Sequence, residues 1–170
     1  TPNLNIYRPA NAVEASESWA HALKRTDGPT AIVLSRQSLP TLREDGALKG
    51  YGDLGGYIMR PTDGHTRDVT LIATGSEVSL AVEAQAELTS SGIKAAVVSL
   101  PCWEVFDQQP EAYRAQVLGS APCIGIEAAS ELGWHKYIGK EGAFVGMPGF
   151  GASGPALELF EHFGLTSTHI

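Results

Sequence analysis

Residues 69–100, VTLIATGSEVSLAVEAQAELTSSGIKAAVVSL, decide the architecture of this chain. Val69 to Ala73 is an apolar run without alternation, the pattern of a strand covered on both faces of a parallel sheet. Thr74 and Glu77 follow at the spacing of a helix capping box, and Val78, Ala81, Val82, Ala84 and Leu88 recur on one broad helical side. Gly92 stands where a helix ends with a left-handed residue. Ala95 to Leu100 is a second buried-type strand, closed by Pro101. Strand, helix and strand in this order need a crossover connection, so the two strands lie parallel.

The same alternation continues on either side. Downstream, Pro110 introduces a short helix over Glu111–Leu118, Cys123–Ile126 is a third strand and Gly142–Met147 a fourth. Pro155 opens a last helix with Ala156, Leu159, Phe160 and Phe163 at helical spacing, and Gly164 closes it. The Met and Phe residues from Phe144 to Phe163 are expected in the core. Upstream, Tyr57–Arg60 opens the sheet, whereas SRQSLPTLREDGALKGYGDLGG (35–56) has no period and reads as a linker or domain crossing. Before it, Leu4–Tyr7 is a strand closed by Arg8-Pro9, and Asn11 caps a helix with Glu14 as its reciprocal acid. Ala12, Ala15, Trp19, Ala22 and Leu23 form that helix's apolar face through Arg25. TAIVL (30–34) is a strand of the kind buried on both faces. The whole reads as an α/β protein with a mostly parallel sheet, preceded by a strand–helix–strand remnant of a second α/β domain that lacks upstream elements.

Composition narrows the function. Lys and Arg number 12 against 19 Asp and Glu, a net charge of −7, which argues against nucleic-acid binding. Hydrophobic residues are 43% of the chain, a globular value, and no apolar run reaches the length of a spanning helix. Nineteen glycines exceed the usual ~7% and predict many tight strand–helix turns. Cys102 and Cys123 read as reduced, half-buried thiols, and the five histidines have no metal-ligand spacing. The start at Thr1-Pro2, without Met, is expected of a piece of a longer protein.

Three places invite chemistry. The Thr74-Gly75-Ser76 turn joins a strand end to a helix start, where free amides and the helix dipole favour an anion; the structural alternative is a capped helix with a glycine for close packing. Arg36 follows TAIVL at the ligand side of a parallel sheet, and its planar fork suits phosphate or carboxylate; the alternative is an arginine paired with an acid such as Glu44. Glu127 and Glu131 could serve as an acid–base pair, or cap a helix and face solvent. Trp134, His135 and Tyr137 beside them read as packing or interface residues.

The order of motifs says more. YRPANAVE, LSRQ (34–37), IATGSEV (72–78), SLPCWEVFDQQ (99–109), FDQQPEAYRAQVL and the FGxSxPxxxLFExFG pattern (150–164) closely resemble the C-terminal part of transketolases, over essentially the whole chain. The resemblance implies that residues 1–52 are the end of a pyrimidine-binding domain and residues 53–170 the C-terminal domain, a three-layer sandwich. It implies a cytoplasmic homodimer acting on sugar phosphates, as in the pentose phosphate pathway or Calvin cycle, without nucleic acid or membrane partners. It also implies thiamine diphosphate and Mg²⁺ or Ca²⁺, which supply the electron sink for moving a two-carbon ketol unit from a ketose phosphate to an aldose phosphate. Arg36 matches the family arginine that holds the sugar phosphate.

Other family features fall outside these residues. The GDG region that binds diphosphate and metal, the cofactor-activating Glu and the substrate histidines all precede the matching part. No catalytic, cofactor or metal residue is therefore expected in this segment, and the segment alone is expected to be inactive. The chain stops at His169-Ile170, where the family's last helix begins, and Ala152 stands where many relatives carry Glu. The alternatives are a related thiamine enzyme, dihydroxyacetone synthase or, less compatible with FDQQPEAYRAQVL, deoxyxylulose-phosphate synthase, and a non-catalytic module binding an anion at Thr74–Glu77.

Overall fold

The computed structural model describes residues 1–43, 50–62, 64 and 66–170. Its centre is a five-stranded sheet of β3 (Tyr57–Arg60), β4 (Val69–Ala73), β5 (Ala95–Ser99), β6 (Cys123–Glu127) and β7 (Ala143–Gly146), in the order β3-β5-β4-β6-β7. All pairings are parallel except β3 with β5. Because side chains alternate across a strand, β4 sends Leu71 and Ala73 to one face and Ile72 to the other. The first face packs with Val97 and Ile126 against Val78, Ala81 and Ala84 of α2 (Glu77–Ser90). The second packs with Val98 against Phe106 of α3 (Trp103–Asp107), Val117 of α4 (Glu111–Leu118), and Tyr137 and Ile138 of α5 (His135–Ile138). This is the three-layer α/β sandwich with a mostly parallel sheet that the alternation of elements predicts.

The decisive stretch behaves as read. β4 and β5 pair in register from Val69 with Ala95 to Ala73 with Ser99. Gly92, at φ +82°, ends α2: its N–H donates to the Thr89 carbonyl and that of Ile93 to the Leu88 carbonyl, a Schellman closure that a Cβ would strain. The capping box is a correction. The side chain of Thr74 does not reach the helix amides; its hydroxyl donates to the Arg8 carbonyl, and Glu77 turns inward. α3, hidden in a polar stretch, is an element the sequence reading did not separate. Both thiols are buried rather than half-buried, and both are free.

The leading segment departs further. β1 (Asn5–Tyr7) and β2 (Thr30–Ile32) form a separate parallel pair, joined by α1 (Ala12–Lys24). TAIVL is not a strand buried on both faces: β2 ends at Ile32, β1 alone flanks it among the described residues, and Val33 and Leu34 are exposed. The face assignment of α1 is reversed. Trp19 and Leu23 are 55% and 79% exposed, whereas Glu14, Glu17 and Ser18 are buried. The inward surface offers hydroxyls, an arginine and backbone amides that suit acids better than aliphatic side chains. Asn11 does cap the helix, accepting from the amides of Val13 and Glu14, each at 3.0 Å. The stretch 35–56 holds one 3₁₀ turn, Tyr51–Asp53, among its described residues; Glu44 lies outside them.

The C-terminal expectation also needs correction. α6 (Ala156–His162) has no buried residue, Phe150 is fully exposed, and Phe144, Met147, Phe160 and Phe163 are only half-buried. The apolar spacing is real, but of these residues Phe144 packs against the core, beside Trp134, while α6 contributes no buried side chain. Among the described residues no helix is long and apolar enough to cross a membrane.

Hydrogen exchange should follow this division. The Ile72 amide, in a strand paired on both sides, should be protected more strongly than that of Ile32 in a two-stranded edge. Equal protection of the two would contradict it.

Candidate functional site

The five-stranded sheet changes winding direction between β4 and β6: β5 lies to one side of β4, and the chain then crosses to place β6 on the other. In open α/β sheets the crevice beyond the strand carboxyl ends at such a point is the usual ligand site. Here a cleft of about 290 Å³ opens there, lined by Thr74, Glu127, Arg8, Trp103, Glu104 and neighbours. Glu77, at the start of α2, and Glu127, at the end of β6, are both buried. Arg8, from just past β1, reaches into the crevice and pairs with Glu127, and lies 3.6 Å from Glu77. Trp134, fully buried, donates its indole N–H to Glu127 at 2.8 Å. Burial pushes the Glu77 carboxyl above its ordinary pKa against the pull of Ser76 and Arg8, and burial lowers that of Arg8.

The backbone of Arg8 is held as firmly as its side chain. Its N–H donates to the Pro101 carbonyl at 2.8 Å, and its carbonyl accepts from the Gly75 amide at 3.0 Å and the Thr74 hydroxyl. Gly75 sits at φ +59°, a conformation that permits this turn to face Arg8. The Thr74–Glu77 turn is thus engaged by an internal arginine and flanked by two acids. The Gly75 amide and the Thr74 hydroxyl, two donors of this turn, are spent on the Arg8 carbonyl. The Glu127 and Glu131 reading is corrected in part: Glu127 is buried and ion-paired, while Glu131 is exposed and lies 3.3 Å from His135. Trp134 and Tyr137 pack in the core with Trp103 and Phe106, and His135 is exposed.

A second polar junction joins α1 to the sheet. Glu14 accepts from the Ser99 hydroxyl at 2.6 Å, the Tyr57 hydroxyl at 2.8 Å and the Ala10 amide at 2.7 Å. The reciprocal acid of the cap therefore serves Ala10, one residue before Asn11. Burial raises the Glu14 pKa, opposed by the donors from Ser99, Ala10 and Tyr57 and by the Arg43 charge. Beside it Glu17 accepts from Arg43 at 3.0 Å, and the Arg43 guanidinium lies over the stacked rings of Tyr51 and Tyr57.

Arg36 stands apart from both junctions. It lies four residues past the end of β2, exposed, with no ion pair to any described residue. Its neighbours Leu34, Ser35 and Gln37 face Pro9 and Asn11 across a groove of about 270 Å³. Residue reading placed Arg36 at a strand end but missed Arg8, Glu14 and Glu77. The available signal was the polar spacing of Glu14, Glu17 and Ser18 at i, i+3, i+4, a second stripe that periodicity alone cannot assign to the inside. Burial pushes the Cys102 thiol up to about 12, which favours its neutral form.

A family profile described as the transketolase-like TK C-terminal domain matches residues 55–166. The transketolase of Sinorhizobium medicae (strain WSM419) is 52% identical over 171 residues, covering 100% of this chain and 24% of its own length. A solved transketolase from Leishmania mexicana superposes with a TM-score of 0.88 at 41% identity, covering 99% of this chain and 24% of that one. The Pichia stipitis transketolase in complex with sedoheptulose-7-phosphate gives 0.89 at 40% identity, with the same coverage of 99% and 24%.

A raised carboxyl pKa in the folded state favours folding with the proton on. The contribution of Glu14 should be complete below its ordinary value of 4.5 and be lost as pH rises through its folded value. Urea denaturation between pH 4 and 8 should show a shallower loss of stability in Glu14→Gln than in the parent, with the share of Glu77 retained. Parallel curves would refute the assignment.

Proposed function

The chain belongs to the transketolase family, and we propose that it forms the C-terminal part of an enzyme that transfers a two-carbon ketol unit from a ketose phosphate to an aldose phosphate. The chain spans about a quarter of the length of the curated relatives it matches. In this reading residues 1–52 end a pyrimidine-binding domain, residues 53–170 are the C-terminal domain, and the whole enzyme is a cytoplasmic homodimer. Exposed Phe150 after β7, Leu157 on α6, and Trp19 and Leu23 on α1 support contact surfaces on this segment.

We propose that thiamine diphosphate and its divalent metal are held outside the described residues. Among them no group of three or more His, Cys, Asp or Glu side chains converges as a metal site. The acids at the strand ends are engaged by Arg8, Trp134 and Ser76. We therefore assign the cofactor to the remainder of the enzyme and give this segment a binding role.

That role falls to Arg36. The observation that carries it is an exposed arginine just past the carboxyl end of a parallel strand, without an acidic partner among the described residues. A guanidinium so placed offers two parallel N–H donors to a phosphate. The Pichia stipitis relative solved with sedoheptulose-7-phosphate supports a phosphorylated sugar as the ligand.

Two measurements test this reading. Charge-assisted bonds contribute about 1.5–3 kcal/mol, so Arg36→Ala in the full-length enzyme should lower kcat/KM for phosphorylated substrates about ten- to a hundredfold. Arg36→Lys should recover only part, and hydroxypyruvate, which carries no phosphate, should lose far less. Equal losses for both substrate classes would sink the clamp. Calorimetry on the 170-residue chain with Mg²⁺ present should detect no thiamine diphosphate binding; micromolar affinity would overturn the assignment of the cofactor elsewhere.

A further inference from the structure

We propose that Arg8 is a positioning residue for sugar-phosphate recognition: by occupying the switch-point crevice of the C-terminal sheet, it sets where Arg36 stands. The inference rests on the reading of Arg36 as the phosphate clamp.

Every hydrogen-bonding group of Arg8 described above is spent on the five-stranded sheet's carboxyl edge. The main-chain N–H meets Pro101, beyond β5, and the carbonyl meets Thr74 and Gly75, beyond β4. The guanidinium meets Glu127, at the end of β6, and approaches Glu77. One residue earlier, the Tyr7 carbonyl accepts the Val33 amide at 2.8 Å, and Tyr7 pairs with Ile32 in the β1–β2 ladder. Arg36 lies three residues beyond Val33. On the other side of Arg8, Pro9 and Asn11 face Leu34, Ser35 and Gln37 across the groove. The strand exit that carries Arg36 is therefore located between two neighbours of Arg8.

The electrostatics make the anchor sensitive to charge. The Glu77 and Glu127 side chains are only 2% and 6% exposed, so removal of the guanidinium leaves two buried carboxylates without their cation. Such a site relaxes by taking up protons or water, and the β1 end relaxes with it. A displacement of about 1 Å at a binding group is enough to reduce a reaction markedly. A purely structural role predicts something different: less folded enzyme, and equal loss with every donor.

The test reads one ratio in the full-length enzyme, kcat/KM for a phosphorylated ketose donor divided by kcat/KM for hydroxypyruvate. Arg8→Met, which keeps an unbranched side chain and removes its charge, should lower the ratio about tenfold. Arg8→Lys should restore part of it. Glu127→Gln, which keeps the shape of the crevice, should lower it in the same direction and serves where Arg8→Met fails to fold. Arg8→Met combined with Arg36→Ala should give a ratio no lower than Arg36→Ala alone, since there is no clamp left to position. If Arg36→Ala lowers the ratio while Arg8→Met or Glu127→Gln leaves it at the parent value, the positioning inference is overturned and the clamp stands. If Arg36→Ala also leaves the ratio unchanged, both fall.

Discussion

Two acids buried beside each other, Glu77 at the start of α2 and Glu127 at the end of β6, call for a cation, and the rest of the structure is arranged around the arginine that supplies it. Glu77 and Glu127 flank the point where the sheet changes direction, and Arg8 enters from a different sheet to meet them. Loss of one partner from a buried ion cluster is far more destabilising than the cluster is stabilising, because the remaining charge stays desolvated. The interaction therefore acts as a requirement for correct assembly. The leading strand pair and the five-stranded sheet meet in one arrangement because this arrangement neutralises both acids.

The Glu14 junction repeats the principle with neutral donors. A carboxyl on α1 collects hydrogen bonds from β3 through Tyr57, from β5 through Ser99 and from the chain just before its own helix through Ala10. Next to it Arg43 and Glu17 pair over two stacked tyrosine rings. The contact of α1 with the sheet is thus polar, and its apolar residues Trp19 and Leu23 lie on the opposite side. Apolar residues on both faces of the C-terminal domain's sheet make its core, whereas directional bonds, together with a small apolar cluster of Tyr7, Cys102 and Val105, locate the leading segment upon it. Directional bonds specify position more sharply than apolar burial does, which suits a segment whose proposed task is to hold Arg36 in place.

Much of the fold was legible from local pattern. β4 and α4 begin and end where the residues predict, and α2 ends where they do, because an unbroken apolar run, an opening proline at Pro110 and a closing glycine at Gly92 are sharp local signals. The order of strands and helices implied a mostly parallel sheet covered on both faces, since crossover connections leave few other ways to bury those strands. The strand-end location of Arg36 and the cap at Asn11 were equally local. α3 was not separable, because five residues between polar stretches are too short to establish a period.

Tertiary structure alone decided which faces turn inward and which charges meet. Periodicity shows that α1 has a polar and an apolar stripe; only the packing of Tyr57, Ser99 and Arg43 against it shows that the polar stripe is inside. The half-buried and exposed aromatic residues after Phe144 show the same limit, since apolar spacing does not say whether a layer lies above it. Arg8 and Glu127 are 119 positions apart, and nothing local to either announces the other. Sequence by itself determined the elements and their order, because those follow from hydrogen bonding and side-chain alternation within a few residues. The long-range pairing of buried charge followed from the fold, because desolvation exists only once distant segments have excluded water together.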